Sequence, residues 1–491
     1  MPPASSPAIA LAGRVVTMDA TNTVHDNAVL YARDGSIVDV RPAAHAAPPG
    51  FENVAVVQTG GTIFPGMIEL HNHLPYDVLS LWKPPKQYGN RDQWSGPGNP
   101  DYHRLITGPM QVLGAQAAVA AALVRYVETR CLLGGTTTSQ GITLAKDAGI
   151  VKHFRGLVRN VENTGDVELP NAVTHIADVV AADGQKFLKR ISGKKKMILH
   201  LAEGTNPAAN QHFAALQIQP GTWAITPNLI GIHCVALTNA NFKVLAKHGG
   251  SMVWSPLSNL LLYGKTADVA SALSHSVPMA LGSDWAPSGS KNLLGELKVA
   301  RLAASHANVP LTSADLTAMV TRTPAAMLGW DKHLGSLVAG YRADLLVVAG
   351  TTAKPCDALI NATEADVELV VIDGTPRAGT PALMSALGVG VDGGGGGGGV
   401  GSGGETVKVA GKPRVLNLTE ATADPDVAQD TVAEAEAILR AALHDLPSNG
   451  AMHVNAKAIP RGQLRLAVEG LVDNHMSSRP HLPYRGKPTG P

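Results

Sequence analysis

The chain has 491 residues, of which 45% are apolar and 16% charged, and its formal net charge is +1. This length is enough for two or three domains or for one large α/β barrel with additions, and the apolar fraction predicts a sizeable core. A nearly neutral chain gives no electrostatic reason to expect a nucleic-acid or anionic-membrane partner.

The cysteine content and the hydropathy pattern predict a protein of a reducing compartment. The three cysteines have no Cys-x-x-Cys spacing, which argues against a disulfide framework and against a structural zinc knuckle. The N-terminus lacks a basic leader followed by a long apolar region, and no stretch reaches the roughly 18 apolar residues of a membrane span. We therefore expect a soluble, cytoplasmic protein.

The first segment, residues 1–63, is predicted to be β-rich. Short apolar runs alternate with polar turns, and the Asp34-Gly35 pair between two such runs is typical of a β-hairpin. These runs predict one part of a small β-sandwich.

Residues 64–330 show a different sequence pattern, in which apolar strand candidates alternate with helical stretches rich in Ala and Leu. Eight strands with intervening helices predict an α/β fold, a (β/α)₈ barrel of parallel strands. The longest predicted helix is GAQAAVAAALVRYVETRCLL. The eight strand candidates are FPGMIEL, GGTTTSQ, RGLVRNV, AVTHIADV, KMILHLAE, LIGIHCV, GSMVWSP and VPMALGSD.

The hairpin pattern returns in residues 331–387, after the predicted barrel. We expect these strands, with the last barrel helices, to complete the composite β-sandwich begun by residues 1–63. Residues 388–404 are dominated by glycine and predict a flexible linker or loop. Residues 405–491 form a C-terminal extension in which DTVAEAEAILRAALHDL predicts an amphipathic helix.

Histidine and acidic side chains follow four of the predicted strands. In FPGMIELHNH, His71 and His73 point to the same side because strand side chains alternate. His200 and Glu203 end the strand KMILHLAE, His233 lies in LIGIHCV, and Asp284 follows the last strand.

Those strand ends predict a metal centre at the face where barrels of this kind carry their active sites. Zinc binds neutral imidazole and carboxylate, and a catalytic site leaves one position for water. His71, His73, His200 and Asp284 supply three imidazoles and one carboxylate. Singly, each has a structural explanation, such as a hydrogen-bonded core histidine or a helix-capping aspartate.

The sequence resembles the amidohydrolase superfamily, and within it the branch of cytosine deaminase and the chlorohydrolases. The resemblance runs from about residue 9 to residue 379 and rests on PGMIELHNH, HLAEG, GIHCVAL and LGSD, in that order. It implies a (β/α)₈ barrel with a composite β-sandwich and one divalent metal ion, zinc or alternatively ferrous iron. It also implies His71, His73, His200 and Asp284 as ligands, with Glu203 as proton shuttle and His233 assisting.

The predicted reaction is hydrolysis by a metal-activated water. Glu203 or Asp284 takes the proton of the water, His233 polarises the attacked group, and Glu203 returns the proton to the leaving nitrogen. The function expected is that of a deaminase or amidohydrolase cleaving a non-peptide C–N bond of a small, cyclic or aromatic nitrogenous compound. Deamination, amide or carbamate hydrolysis and dechlorination all stay open, because one activated water serves each of them.

A second metal ion is not expected. Binuclear relatives hold it with a carboxylated lysine at the end of the fourth strand, and no Lys lies near that end here; Lys152 comes earlier. Glu162 or His175 is the alternative second ligand. The alternative functions are a binuclear amide or lactone hydrolase, which needs such a ligand, and an inactive scaffold, which usually has lost its ligands.

The segment after the first barrel strand, residues 74–105, mixes aromatic and cationic side chains. It predicts either a lid that stacks on a planar substrate or a surface loop packed onto the barrel. The partner expected is a small-molecule substrate, and the resemblance implies a homo-oligomer. Substrate-contact candidates are Trp82, Arg91, Trp94, Ser255, Asn259 and Trp285.

Overall fold

The computed structural model of the protein describes residues 7–96, 99–141, 154, 157–175, 184–391, 403–418 and 431–444. Within these ranges the chain forms twenty strands. They are β1 Ile9–Val16, β2 Val24–Arg33, β3 Ser36–Pro42, β4 Val56–Pro65, β5 Met67–Glu69, β6 Thr136–Ser139, β7 Arg159–Asn160, β8 Val173–His175, β9 Met197–Leu201, β10 Gln217–Gln219, β11 Thr222–Trp223, β12 Leu229–His233, β13 Ser251–Trp254, β14 Met279–Leu281, β15 Leu345–Ala349, β16 Val367–Ile372, β17 Thr375–Gly379, β18 Gly390–Val391, β19 Gly403–Val409 and β20 Lys412–Leu416.

The helices of the described ranges include the two that the sequence predicts. The long barrel helix spans Ala117–Leu133 and the amphipathic C-terminal helix spans Val432–His444. In chain order the helices are α1 Asp92–Ser95, α2 Pro100–Tyr102, α3 Gly108–Gly114, α4 Ala117–Leu133, α5 Gly184–Ile191, α6 Pro207–Ala214, α7 Asn239–Lys247, α8 Pro256–Tyr263, α9 Val269–Ser274, α10 Leu293–His306, α11 Ser313–Ala318, α12 Arg322–Leu328, α13 Pro355–Asn361, α14 Pro381–Ala386 and α15 Val432–His444.

Eight strands form the barrel, and each contains residues of one of the eight predicted candidates. They are β5 to β9 and β12 to β14, and every hydrogen-bonded pair among them is parallel. The backbone N–H of Asp284 donates to the carbonyl of His71 at 2.9 Å, which joins the last strand to the first. The (β/α)₈ prediction is thereby confirmed, and its closing bond lies beside two candidate site residues.

The remaining large sheet has ten strands, in the order β18-β19-β20-β17-β16-β15-β4-β1-β2-β3. It contains strands from both sides of the barrel sequence, as the composite β-rich part predicts. The Asp34-Gly35 hairpin is confirmed, since β2 pairs antiparallel with β3 and both turn residues have positive φ. Strands β19 and β20 extend this sheet. Most of their residues had been predicted to lie in a separate C-terminal extension.

Alternation of side chains divides the residues of this sheet between two cores. Leu346 and Val348 of β15 belong to the main core with barrel residues, whereas Leu345 and Val347 pack with Leu11 of β1. Such alternation is expected for a sheet buried on both faces. The main core also includes Leu439 and Leu443 of α15, so the C-terminal helix is part of the packed structure.

A buried ion pair fastens the barrel to the large sheet. The Arg159 guanidinium on β7 bonds the Asp344 carboxylate in two places, one of them at 3.1 Å, and the Asp373 carboxylate at 2.6 Å. Arg159 and Asp344 are buried, and the two carboxylates raise the pKa of Arg159 against the opposing effect of burial. Arg159 therefore stays charged and needs its partners.

Replacing Asp344 by Ala is expected to lower the free energy of unfolding by about 3 kcal/mol, since the buried guanidinium keeps only the half-exposed Asp373 as a carboxylate partner, besides the Thr138 hydroxyl. Guanidinium-chloride unfolding followed by circular dichroism measures the change. The control is Asp101→Ala, which removes a surface ion pair with Arg104 whose side chains are 31% and 40% exposed, and is expected to cost less than about 1 kcal/mol. Equal losses in the two variants would contradict the prediction.

No single helix in the described ranges is long and apolar enough to span a membrane. One pair, residues 103–114 and 117–133, passes the same test of length and composition when taken together, with a bend of 115° between its members.

Candidate metal centre and active site

Five side chains meet at the carboxyl ends of the barrel strands. His71 and His73 follow β5, His200 lies near the end of β9, His233 ends β12, and Asp284 lies three residues beyond β14. All five are buried. The structure therefore brings together every metal ligand that the sequence predicts, together with His233.

Their ligand atoms form two overlapping groups of three, each close enough to hold an ion. His71 Nε2 lies 3.3 Å and His73 Nε2 3.6 Å from Asp284 Oδ1, and His233 Nε2 lies 3.9 Å from Asp284 Oδ2. His71, His200 and His233 form one set whose ligand atoms all lie within 4.8 Å of one another, and His71, His73 and Asp284 form another. Both sets contain His71, so they describe a single centre.

Unusual backbone conformations direct these side chains into the barrel. His233 and Asp284 have φ of 68° and 60°, in the left-handed region that residues other than glycine seldom adopt. Such strain costs on the order of 1–3 kcal/mol for each residue and is typical of functional sites. Gly282 lets the end of β14 approach the end of the first barrel strand, β5, because a Cβ atom at position 282 would lie 2.4 Å from His71 Cβ.

Burial sets the charge of the site. It lowers the pKa of His71 well below the usual value and that of His73 to about 3, with help from neighbouring cationic groups including Arg91. Burial also raises the pKa of Asp284 to about 6. Both histidines are therefore neutral near pH 7, which is the form that binds a metal ion.

Two residues of the segment WSPLSN hold the histidine rings. Ser255 Oγ lies 2.8 Å from His71 Nδ1, and Asn259 Oδ1 lies 2.9 Å from His233 Nδ1. Asn259 also donates through its amide nitrogen to Thr266 Oγ1, so its oxygen faces His233, whose Nδ1 donates the hydrogen. These contacts leave the Nε2 atoms of both rings for the centre. Substrate contact by Ser255 and Asn259 stays a prediction.

Glu69 ties the two ligand-bearing strand ends together. Its Oε1 accepts the backbone N–H groups of His71 and Ser283 at 3.3 and 3.0 Å, and its Oε2 accepts from Ser283 Oγ at 2.7 Å. Its carboxyl group is buried, which raises its pKa well above the usual value. The period-2 pattern of MIELHNH places Glu69 on the same face as His71 and His73, a signal that the sequence analysis did not use.

Glu203 lies against the same centre. Its Oε1 lies 3.7 Å from His233 Nε2, and its Oε2 lies 3.7 Å from Arg91 Nε. The carboxylate is buried, and Tyr263 donates a hydrogen bond to it. Tyr263 was not among the predicted site residues, although its i+4 spacing from Asn259 on α8 places the two residues on one helix face.

The loop after β5 covers this end of the barrel and is fixed to three of its neighbours by backbone hydrogen bonds. Arg91 N–H donates to the Glu203 carbonyl at 3.2 Å, Tyr88 N–H to Leu262, and Trp82 N–H to the carbonyl of Pro287. A Cβ at Gly204 would lie 2.5 Å from the carbonyl of Gly89, so the loop approaches as closely as it does because Gly204 has no side chain.

The aromatic side chains of this loop pack on one another above the centre. The Trp285 ring lies 5.0 Å from the His73 ring, and the Trp94 ring lies 6.0 Å from Trp285 and 6.4 Å from Trp82, between ring centroids. All three tryptophans are buried, while Lys83 is exposed. The loop is thus packed down, as one of the two predicted arrangements has it, and its rings reach His73 through Trp285. Stacking of the loop on a planar substrate stays a prediction.

Glu162, one of the alternative second-metal ligands, belongs to neither candidate metal group of the described residues. The Glu162 carboxylate accepts hydrogen bonds from the Gly141 N–H at 2.9 Å and from Gln140 Nε2 at 3.5 Å. His175 ends β8, and Lys152 lies outside the described residues. In the described part of the chain, both candidate metal groups belong to the centre around His71.

Glu296 on α10 supports two loops of the site. One carboxylate oxygen accepts the Leu257 N–H at 3.1 Å, and the other bonds Ser290 Oγ. Complete burial raises the pKa of Glu296 to about 8. Between about pH 5 and pH 8 the folded protein therefore holds a proton that the unfolded chain releases, and folding stability falls as pH rises.

Replacing Glu296 by Gln is expected to remove this pH dependence. The unfolding free energy of the wild type should fall, relative to that of Glu296→Gln, by about 1.4 kcal/mol for each pH unit between pH 5 and pH 7. Urea unfolding at pH 5, 6 and 7 measures it. Glu168→Gln, at an exposed position, is expected to keep the wild-type pH dependence of the unfolding free energy. The same pH dependence in Glu296→Gln as in the wild type would contradict the prediction.

Comparisons with known proteins agree with this architecture. The model of the Amidohydrolase family matches residues 221–377. A 5-methylthioadenosine/S-adenosylhomocysteine deaminase of Moorella thermoacetica is 25% identical over 413 residues, covering 74% of this chain and 93% of the relative. One of the same description from Desulforudis audaxviator is 30% identical over 157 residues, which are 30% of this chain and only 36% of the relative.

Among solved structures, the fold is similar to an adenosine deaminase of Xanthomonas campestris with bound zinc. The TM-score is 0.59 at 21% sequence identity, covering 75% of this chain and 92% of the other. A guanine deaminase of E. coli gives a TM-score of 0.54 at 15% identity, covering 75% and 98% of the two chains. These likenesses show the barrel fold, which carries the strand ends described above.

Proposed function

We propose that this chain, of which residues 221–377 match the Amidohydrolase family, is a metal-dependent hydrolase of a non-peptide C–N bond in a small nitrogenous heterocycle. The observation that carries the proposal is the meeting of three buried imidazoles and one buried carboxylate at the carboxyl end of the barrel. Relatives described as deaminases of purine nucleosides support the bond and the substrate class.

The residues at this centre fit a divalent metal ion. His71 Nε2 is fully buried and has no hydrogen-bond partner, while the Nδ1 of the same ring is held by Ser255. A buried polar atom without a partner is costly unless something binds it. We propose that His71, His73, His200 and Asp284 hold one zinc ion, because three imidazoles and one carboxylate are a donor set that zinc prefers. Such an ion, when bound, supplies a water activated for attack near neutral pH.

The chain's own groups then have separate tasks in moving protons. Glu203 lies against the centre through Oε1, which is 3.7 Å from His233 Nε2, and its Oε2 is buried without a hydrogen-bond partner, so Oε2 is the atom proposed to accept and return a proton. His233 presents Nε2 beside both carboxylates and is proposed to bind the group at the attacked carbon. Asp284 is the alternative first proton acceptor. Trp82, Arg91, Trp94 and Trp285 are proposed to contact the substrate.

Ammonia release from a panel of amino-heterocycles tests this function. We suggest 5′-methylthioadenosine, guanine and an amino-s-triazine, with zinc-loaded protein and with the chelated protein as the control. Deamination predicts ammonia from at least one compound, lost on chelation and restored by zinc. Turnover of none of them, or turnover unaffected by complete metal removal, would contradict the proposal.

Elemental analysis of protein purified without chelator tests the number of ions. About one zinc or iron per chain would support the mononuclear centre. About two per chain would favour the alternative function, a binuclear hydrolase of an amide or lactone, and would call for assays of carboxylate release. A cytoplasmic location and a homo-oligomeric state stay predictions.

A further inference from the structure

The phenol of Tyr263 forms a short hydrogen bond to the proposed proton shuttle. Tyr263 is the last residue of α8, and its hydroxyl lies 2.6 Å from Glu203 Oε1. Both side chains are buried. Burial, the nearby carboxylate and this hydrogen bond raise the pKa of Tyr263 well above the usual value, so the phenol keeps its proton at every working pH.

A third buried residue fixes the direction of that hydrogen bond. Trp94 of α1 donates its indole N–H to Tyr263 Oη at 2.8 Å. Because the indole can only donate, the phenol oxygen accepts from Trp94 and directs its own hydrogen to Glu203. The chain of donors therefore runs from Trp94 through Tyr263 to Glu203 Oε1, and it begins in the loop that covers the centre.

This chain of hydrogen bonds distinguishes the two oxygens of Glu203. Oε1 accepts the phenol hydrogen, whereas Oε2 is buried and has no hydrogen-bond partner. The main chain is held as well, since the Arg91 N–H donates to the Glu203 carbonyl. A carboxylate fixed at one oxygen and at its backbone presents the other oxygen in a defined direction, which general acid–base catalysis requires.

We propose that Tyr263 is a positioning residue of the reaction: supported by Trp94, it holds Glu203 Oε1 beside His233 and leaves Oε2 without a hydrogen-bond partner, for proton transfer. This inference rests on the function proposed above, because it assigns no chemistry to Tyr263 itself. It predicts that the hydroxyl of Tyr263 matters only while Glu203 is present to receive its hydrogen bond.

The first test is structural and needs no substrate. Crystal structures of the zinc-loaded wild type and of Tyr263→Phe, which removes only the hydroxyl, show where the Glu203 carboxylate lies. We expect it to leave the wild-type position in Tyr263→Phe. The matched control is Tyr341→Phe, which removes a phenol hydrogen bond of the same 2.6 Å length to the Asp331 carbonyl, away from the centre. A carboxylate that stays in place overturns the proposal.

The second test is a double-mutant cycle on kcat with the best amino-heterocycle of the panel. Tyr263→Phe should lower kcat about 10- to 100-fold in the wild-type background, as expected for a hydrogen bond to a charged group, with KM and metal content little changed. In the Glu203→Gln background it should change kcat less than about twofold. Equal losses in the two backgrounds would show a merely structural role and overturn the proposal.

A second variant keeps the inference testable if Tyr263→Phe does not fold. Trp94→Phe removes the indole donor but leaves the phenol, and we expect a kcat loss, measured at saturating substrate, of about 2- to 5-fold that also disappears in the Glu203→Gln background. Loss of the proposed substrate contact of Trp94 should raise KM in both backgrounds instead. A loss of equal size in both backgrounds contradicts the proposal. Failure of the wild type to release ammonia from any probe would overturn the proposed function instead, and the crystal structures would then decide this inference alone.

Discussion

Glu203→Gln is expected to lower kcat about 100- to 10,000-fold while the bound metal stays near the wild-type amount. General acid–base catalysis contributes an effect of this size, and an amide can neither take a proton at this position nor return one to the leaving nitrogen. Glu203 is not one of the proposed ligands, so the centre should still fill. Ammonia release under saturating substrate, with elemental analysis of the same sample, measures both quantities.

The matched control is Glu52→Gln, at an exposed position of the β-rich part, which should keep the wild-type kcat. Asp284→Asn is the companion variant, and we expect it to lower both kcat and metal binding, since Asp284 is a proposed ligand as well as a proton acceptor. If a substrate is found and neither Glu203→Gln nor Asp284→Asn lowers its turnover, the proposed mechanism is wrong.

The barrel could be predicted because its strands depend on local patterns. Short apolar runs between helical stretches predict buried parallel strands, and residues at the carboxyl ends of such strands must meet at one face. His71, His200 and Asp284 come together for this reason, although more than 200 residues separate the first from the last. Motif order and topology were sufficient for these residues.

The contacts around the ligands could not be predicted in the same way. Ser255 and His71 form a hydrogen bond although 184 positions separate them in sequence, and Tyr263 and Glu203 do so at a separation of 60 positions. Each pairing depends on side-chain rotamers and on the angle at which α8 enters the site. Ser255 was therefore expected at the substrate rather than beside a histidine. Tyr263 is one of several aromatic residues in the sequence, and no short motif marks it.

The extension after the glycine-rich stretch was the least predictable part. Its helix was visible as an amphipathic pattern, but its packing partner was not, because hydropathy reports which residues are buried and not what they are buried against. In the structure Leu439 and Leu443 of α15 belong to the main core, and β20 pairs with β17 of the large sheet. Domain limits drawn from composition alone stay predictions.

His71→Ala is expected to lower the affinity for zinc at least about 100-fold, because His71 belongs to both sets of candidate ligands and its Nε2 has no hydrogen-bond partner in the described structure. Ser255→Ala keeps the imidazole but removes its 2.8 Å hydrogen bond, and should weaken zinc binding about 10- to 100-fold. Competition with a chromophoric chelator measures both affinities. His45→Ala, at an exposed position, should bind zinc as the wild type does. The order wild type, Ser255→Ala, His71→Ala follows only if His71 is a ligand oriented by Ser255, and wild-type affinity in His71→Ala would contradict the proposed centre.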